Sequence, residues 1–208
     1  MRGFALSLLV LSVAPATLCA QKLRLRLEAI GITYQEVREG RDGFGGGGGV
    51  GAELRLGRFH VVASAYNAHV EPDDTTATEF DVRQVDLRIG YALTPFFSLE
   101  AGGGRRYIEP DLAAQEVGLF RAGVFSENQL NRLASVWVRG AYLLGPQFSG
   151  GGSADLAFEF GLGVGIGTAN GRIRFHAEYE FQRIDRRVGN DEVPLQVSLA
   201  RTGIAVGF

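Results

Sequence analysis

The chain has 208 residues, with 21 Lys and Arg against 23 Asp and Glu, a formal net charge of −2, and 46% hydrophobic residues. That near balance excludes a broad nucleic-acid-binding surface, and one cysteine, Cys19, excludes an intramolecular disulfide framework. Thirty glycines argue against a helical protein. No long apolar run follows residue 20, so a transmembrane helix, which needs about 18 such residues, is also excluded.

Residues 1–20 have the layout of a secretory signal peptide: Arg2, an apolar core from Phe4 to Val13, then small residues up to Ala20, where cleavage is expected. Cys19 is preceded by Leu18, where a lipidation motif would carry a small side chain. The first strand is expected from about Lys22 to Val37, with Leu23, Leu25, Leu27 and Ala29 alternating against Lys22, Arg24, Arg26 and Glu28. Arg38 to Gly49, containing Gly45 to Gly49, reads as a flexible loop. It is a weak phosphate cradle, because no GK[ST] follows it.

Val50 to Leu56 returns as a strand, and Gly57-Arg58 is a tight turn. Phe59 to Val70 is a strand of undetermined facing, since His60, Ser64, Asn67 and His69 do not share a parity. After the acidic loop from Glu71 comes a strand from Thr78 to Leu93, closed by Thr94-Pro95. Phe97 to Ile108 is the fifth strand, and Gln115 to Phe125, apolar on both parities, is either a strand or part of a long loop. The comb resumes at Ser135, and Gly145 to Ser153 reads as a loop.

The clearest pattern lies between Asp155 and Gln182. Leu156, Phe158, Phe160, Leu162, Val164 and Ile166 alternate with Asp155, Glu159 and glycines; Ile173, Phe175, Ala177, Tyr179 and Phe181 then alternate with Arg172, Arg174, His176, Glu178, Glu180 and Gln182. Asn170-Gly171 between the runs is a hairpin signal. Arg187 to Pro194 is expected as a polar loop, and Leu195 to Phe208 as the last strand. The fold class is therefore all-β, a closed antiparallel up-and-down transmembrane β-barrel over residues 21–208. Ten strands place both termini on one side, with eight as the alternative count. Short turns alternate with mostly longer loops, as in a membrane barrel.

Alternation alone leaves the facing open, because a soluble barrel turns its apolar combs inward and a membrane barrel turns them outward. The signal peptide, the terminal aromatic residue and the glycines interleaved with the polar combs favour the membrane. Gly161, Gly163, Gly165, Gly167, Gly203 and Gly207 would relieve a crowded lumen. On these residues, and on Phe208 with Val206, Ile204 and Ala200, the chain resembles the small outer-membrane β-barrels of Gram-negative bacteria, the OmpA-type and OmpX-type barrels among them. The resemblance implies location in the cell outer membrane, contact with outer-membrane lipid and lipopolysaccharide, and a monomer. It also makes Phe208, Val206 and Ile204 an assembly signal read by the barrel-assembly machinery.

With the polar combs inward, the lumen is expected to hold Arg24, Arg26, Glu28, Glu53, Arg55, Asp86, Arg88, Glu100, Arg106, Arg139, Glu159, Arg172, Arg174, His176, Glu178, Glu180 and Arg201. Near balance of sign points to a plug of ion pairs, since unpaired charge without water is costly, and to a structural or surface-interaction role. The alternative is a narrow, anion-leaning small-solute pore. A third reading is a rim enzyme acting on envelope lipids or peptides, for which His69 near Glu71, Asp73 and Asp74 is the only candidate. No catalytic, cofactor or metal motif is recognisable, and no nucleic acid is expected as a partner.

Overall fold

The computed structural model describes residues 23–38, 41–111, 116–168 and 172–208. The expected signal peptide and the Asn170-Gly171 turn lie outside these residues. Ten strands run in order: β1 (Leu23–Arg38), β2 (Arg41–Leu56), β3 (Phe59–Pro72), β4 (Phe80–Thr94), β5 (Phe97–Glu109), β6 (Val117–Gln129), β7 (Ala134–Phe148), β8 (Ser153–Gly167), β9 (Ile173–Val188) and β10 (Asp191–Gly207). Each pairs antiparallel with its sequence neighbours, and β10 pairs with β1, so the sheet closes into a ten-stranded barrel. The seam carries Leu27 opposite Val206, and Phe208 N–H donates to the Leu25 carbonyl at 2.8 Å. β1 begins and β10 ends at one end of the barrel, hereafter the terminal end; the opposite end is the far end.

The polarity of the wall inverts along its height. Toward the terminal end the outward side chains are apolar, from Val85 to Leu93 on β4, Ile173 to Phe181 on β9 and Ala200 to Phe208 on β10. Runs of this length match the roughly 9–11 residues with which a tilted strand crosses a bilayer. Above this belt the outward positions turn polar: Asn67 and His69, Asp81 and Arg83, Arg183 and Asp185, Gln196 and Ser198.

The lumen changes in the opposite sense. Its terminal half is charged, while its far half holds one apolar cluster that includes Ile32, Tyr34, Val70, Val82, Val117, Leu143, Ile184 and Leu199. The two facings that compete in the sequence are therefore both present, stacked along the same strands. Where lipid surrounds the wall apolar groups face out, and where water surrounds it they face in. The expectation that one apolar comb faces lipid throughout is corrected accordingly.

The same inversion lengthens the strands. β9 continues past Gln182 through Ile184 to Val188, and within β1, which ends about where expected, the apolar parity passes beyond Ala29 to Ile30, Ile32 and Tyr34. Within the loops expected at Arg38 to Gly49 and Arg187 to Pro194, residues 41–49, 187–188 and 191–194 are strand, and residues 117–125 of the segment expected at Gln115 to Phe125 belong to β6. Gly45 to Gly49 are also strand, in mid-β2. A Cβ at inward Gly45 or Gly47 would stand 1.9 Å from the carbonyl oxygen of His69 or Asn67, and one at Gly49 2.5 Å from that of Ala65. The sheet bends so tightly there that β1 also touches β3 across β2. Only residues without a side chain allow that approach.

Candidate functional site

The charged half of the lumen is organised in tiers, because inward positions on adjacent strands meet at similar heights. At the terminal end Glu53 accepts from Arg26 Nη1 at 2.9 Å and from Arg55 Nε. Glu127 accepts from Arg55 Nη2 at 3.2 Å and Arg174 Nη2 at 2.9 Å. The Arg174 guanidinium lies 4.9 Å from the centre of the Trp137 ring.

In the next tier Glu100 Oε1 is 2.9 Å from His60 Nε2, and its other oxygen accepts from Arg139 Nε at 3.0 Å. Arg139 Nη1 donates to Glu178 at 2.9 Å, and His176 Nε2 stands 3.8 Å from Glu28. A third tier sets Arg88, Arg121 and Arg201 against Asp86, Glu159 and Glu180. Arg88 Nη2 bridges Glu159 at 2.9 Å and Glu180 at 3.2 Å, Arg121 Nη2 donates to Asp86 at 2.6 Å, and Arg201 Nη2 lies 3.2 Å from Glu180. These six side chains are at most 7% exposed.

Neutral amides and phenols complete the transition to the apolar cluster. Gln84 accepts from Tyr66 at 2.9 Å and from Arg106 Nε at 3.1 Å, Arg106 Nη2 donates to Gln182 at 2.8 Å, and Tyr34 donates to Glu36 at 2.6 Å. Gln84 and Gln182 thus give the buried Arg106 guanidinium neutral acceptors in place of a carboxylate.

Of the lumen residues expected from the sequence, Arg26, Glu28, Glu53, Arg55, Asp86, Arg88, Glu100, Arg106, Arg139, Glu159, Arg174, His176, Glu178, Glu180 and Arg201 converge in these tiers. Arg24 and Arg172 do not: both are exposed at the terminal rim, where the strands begin. The sequence reading missed His60, Arg121 and Glu127, while Gln84 and Gln182 lie on the polar combs it turned inward. Arg121 and Glu127 lie on β6, whose apolar parity changes at Phe120, and that change was the available signal.

Several inward glycines receive a neighbouring side chain. A Cβ at Gly90 would stand 2.0 Å from the His60 ring, at Gly104 2.2 Å from Asp86, at Gly163 2.3 Å from the Trp137 ring, and at Gly203 2.5 Å from the His176 ring. Each is a cross-strand pair, or a near one, in which the glycine lets a charged or aromatic group lie along the wall. Gly161 and Gly167 have only ordinary contacts.

His69 and Glu71 share the outer face of β3, but the partners His69 meets are on the β4 side. It faces outward above the belt, with Nδ1 2.9 Å from Asp81 and Nε2 3.5 Å from Glu79. The hydrogen bond with Asp81 raises its imidazole above the ordinary value, helped by the charges of Asp81, Glu79 and Glu71 against a small desolvation.

The fold is similar to that of the outer membrane protease OmpT from Escherichia coli, at 8% identity over 89% of this chain and 96% of that chain, with a TM-score of 0.53. The fold is that of the Gram-negative outer-membrane β-barrels. Neisserial surface protein A is similar at 13% identity over 88% of this chain and 97% of that one, TM-score 0.48. Ail, the attachment invasion locus protein of Yersinia pestis, is similar at 10% identity over 90% and 99%, TM-score 0.43. No family profile and no curated protein sequence matches the chain.

Proposed function

We propose that the protein is a non-conducting outer-membrane β-barrel with a structural or surface-interaction role, its termini toward the periplasm and its far end raised above the outer leaflet. The apolar cluster across the far half of the lumen carries this reading, because a filled, water-excluding core leaves ions no hydrated path through the barrel. The belt would contact outer-membrane lipid and lipopolysaccharide, and the outward Ile204, Val206 and Phe208 of the closing strand remain the candidate contact for the barrel-assembly machinery. The reading assigns no catalytic role. Planar-bilayer recording of purified protein tests it: no unitary conductance steps are expected, and reproducible steps would sink it.

The narrow anion-leaning pore is the second reading, supported by the arginines Arg26, Arg55, Arg88, Arg139, Arg174 and Arg201 around the terminal cavity. It requires the cluster of Val70, Val82, Leu143 and Ile184 to part. Conductance appearing only when that cluster is thinned, as in Leu143→Ala with Ile184→Ala, would place the barrier there and leave the parent barrel closed.

A further inference from the structure

On the reading that the belt lies in a bilayer with the terminal end toward the periplasm, we propose that the terminal rim is a binding surface for anionic phospholipid headgroups of the adjoining leaflet. The connections between strands are segregated by charge. Those at the terminal end, residues 57–58, 95–96, 130–133 and 168–172, contain Arg58, Arg132 and Arg172 and no Asp or Glu. Those at the far end, residues 39–40, 73–79, 110–116, 149–152 and 189–190, contain Glu39, Asp73, Asp74, Glu79, Asp111 and Glu116 and no Lys or Arg. A chain of nearly balanced charge therefore carries a basic end and an acidic end.

Pairing separates the two ends as well. Above the belt the outward arginines each meet a carboxylate of the protein: Arg83 with Glu109 at 3.8 Å, Arg105 with Glu116 at 3.0 Å, Arg183 with Asp185 at 2.8 Å and Arg187 with Asp155 at 2.6 Å. At the terminal rim Arg24, at the start of β1, and Arg58 and Arg132, in turns, are exposed. Among the described residues their guanidinium groups have neither an ion pair nor a hydrogen bond, and none of the three lines the terminal cavity. Their charge is directed to what surrounds the barrel.

Their sequence neighbours fix the depth at which that charge is presented. Arg24 stands between Leu23 and Leu25, Arg58 between Leu56 and Phe59, and Arg132 between Leu130 and Leu133, all six exposed. Such apolar side chains belong in the acyl layer, and an arginine beside them extends its guanidinium outward to the headgroups. At that level the available anion is the lipid phosphate, which a guanidinium takes with two parallel N–H donors. Basic residues grouped at the surface of an anionic leaflet add their attractions, so three around one rim favour anionic over zwitterionic lipid.

Spin-labelled phosphatidylglycerol and spin-labelled phosphatidylcholine, each diluted into phosphatidylcholine vesicles that hold the refolded protein, are the probes, and the fraction of label immobilised at the barrel is read. Phosphatidylglycerol is expected to associate roughly twofold or more in excess of phosphatidylcholine. Arg24→Gln, Arg58→Gln and Arg132→Gln combined are expected to bring the two lipids level, with closure of the barrel checked by heat-modifiable gel mobility. Where the combined variant does not fold, Arg132→Gln alone, in a turn, is expected to lower the ratio. Equal association of the two lipids with the parent protein overturns the proposal, as does a ratio unchanged in the folded variant. A ratio lost equally on replacing the paired Arg83 and Arg105 by Gln, or abolished by inorganic phosphate at constant ionic strength, also overturns it. A barrel that does not float with the vesicles overturns the membrane reading itself, and flotation is measured before the lipids are compared.

Discussion

Trp137 lies over Gly163 on the neighbouring strand, so close that a Cβ at that glycine would stand 2.3 Å from the indole. The glycine thus fixes where the indole, and the Arg174 guanidinium stacked on it, can sit. Gly163→Ala is expected to displace the ring and to destabilise the barrel by about 1–3 kcal/mol, the usual range for overpacking. Gly161→Ala, where the nearest atom is 3.5 Å away, is expected to leave both stability and Trp137 emission unchanged. Urea unfolding followed by tryptophan fluorescence compares the two; equal effects at both positions would remove the argument.

The inverted polarity of the wall makes opposite demands on the two halves. Phe160 faces outward in the belt, and Phe160→Arg is expected to cost about 2–4 kcal/mol in a bilayer. Ser198, also outward but above the belt, is expected to accept Arg with little change. On the inner side of the far half, fully buried Ile184 is expected to lose about 2–5 kcal/mol on truncation to Ala. Denaturant unfolding of the reconstituted variants measures all three. A similar penalty at Phe160 and Ser198 would mean that lipid covers the full height of the wall.

His69 gives the far end a pH dependence whose sign is fixed by its partner. Its hydrogen bond with Asp81 raises the imidazole above the ordinary value, so the folded protein holds the proton more tightly than the unfolded chain. The resulting stabilisation is fully present below the unfolded value of about 6.5 and is lost as pH rises through the folded value. The stability difference between the parent chain and His69→Gln is therefore expected to be larger at pH 5.5 than at pH 8.5. Being an exposed pair, it is a small difference. Parallel urea titrations at the two pH values decide it, and a difference that grows with pH reverses the assignment. The same variant, assayed on envelope lipids and peptides, would expose any hydrolytic role of this side chain.

The sequence by itself showed an antiparallel barrel of ten or eight strands, because a period-two pattern leaves little freedom to runs such as Leu156 to Ile166, while the side that meets lipid rested on the signal-peptide layout, the terminal aromatic residue and the interleaved glycines. It also contained the inversion, in the passage from Leu23, Leu25 and Leu27 to Ile30, Ile32 and Tyr34 on β1. Read as one solvent environment, however, that passage leaves the strand expected to run to Val37 without a single facing. Only the closed barrel decided that the apolar parity changes because the surrounding medium changes. Only closure decided which charges meet: Arg88 finds Glu159 and Glu180 at sequence separations of 71 and 92 residues, across a lumen whose diameter no local pattern encodes. The run Gly45 to Gly49 in β2 belongs to the same category. Locally these are the residues costliest to order, and in the barrel the backbone of β3 lies where the side chains of Gly45, Gly47 and Gly49 would be.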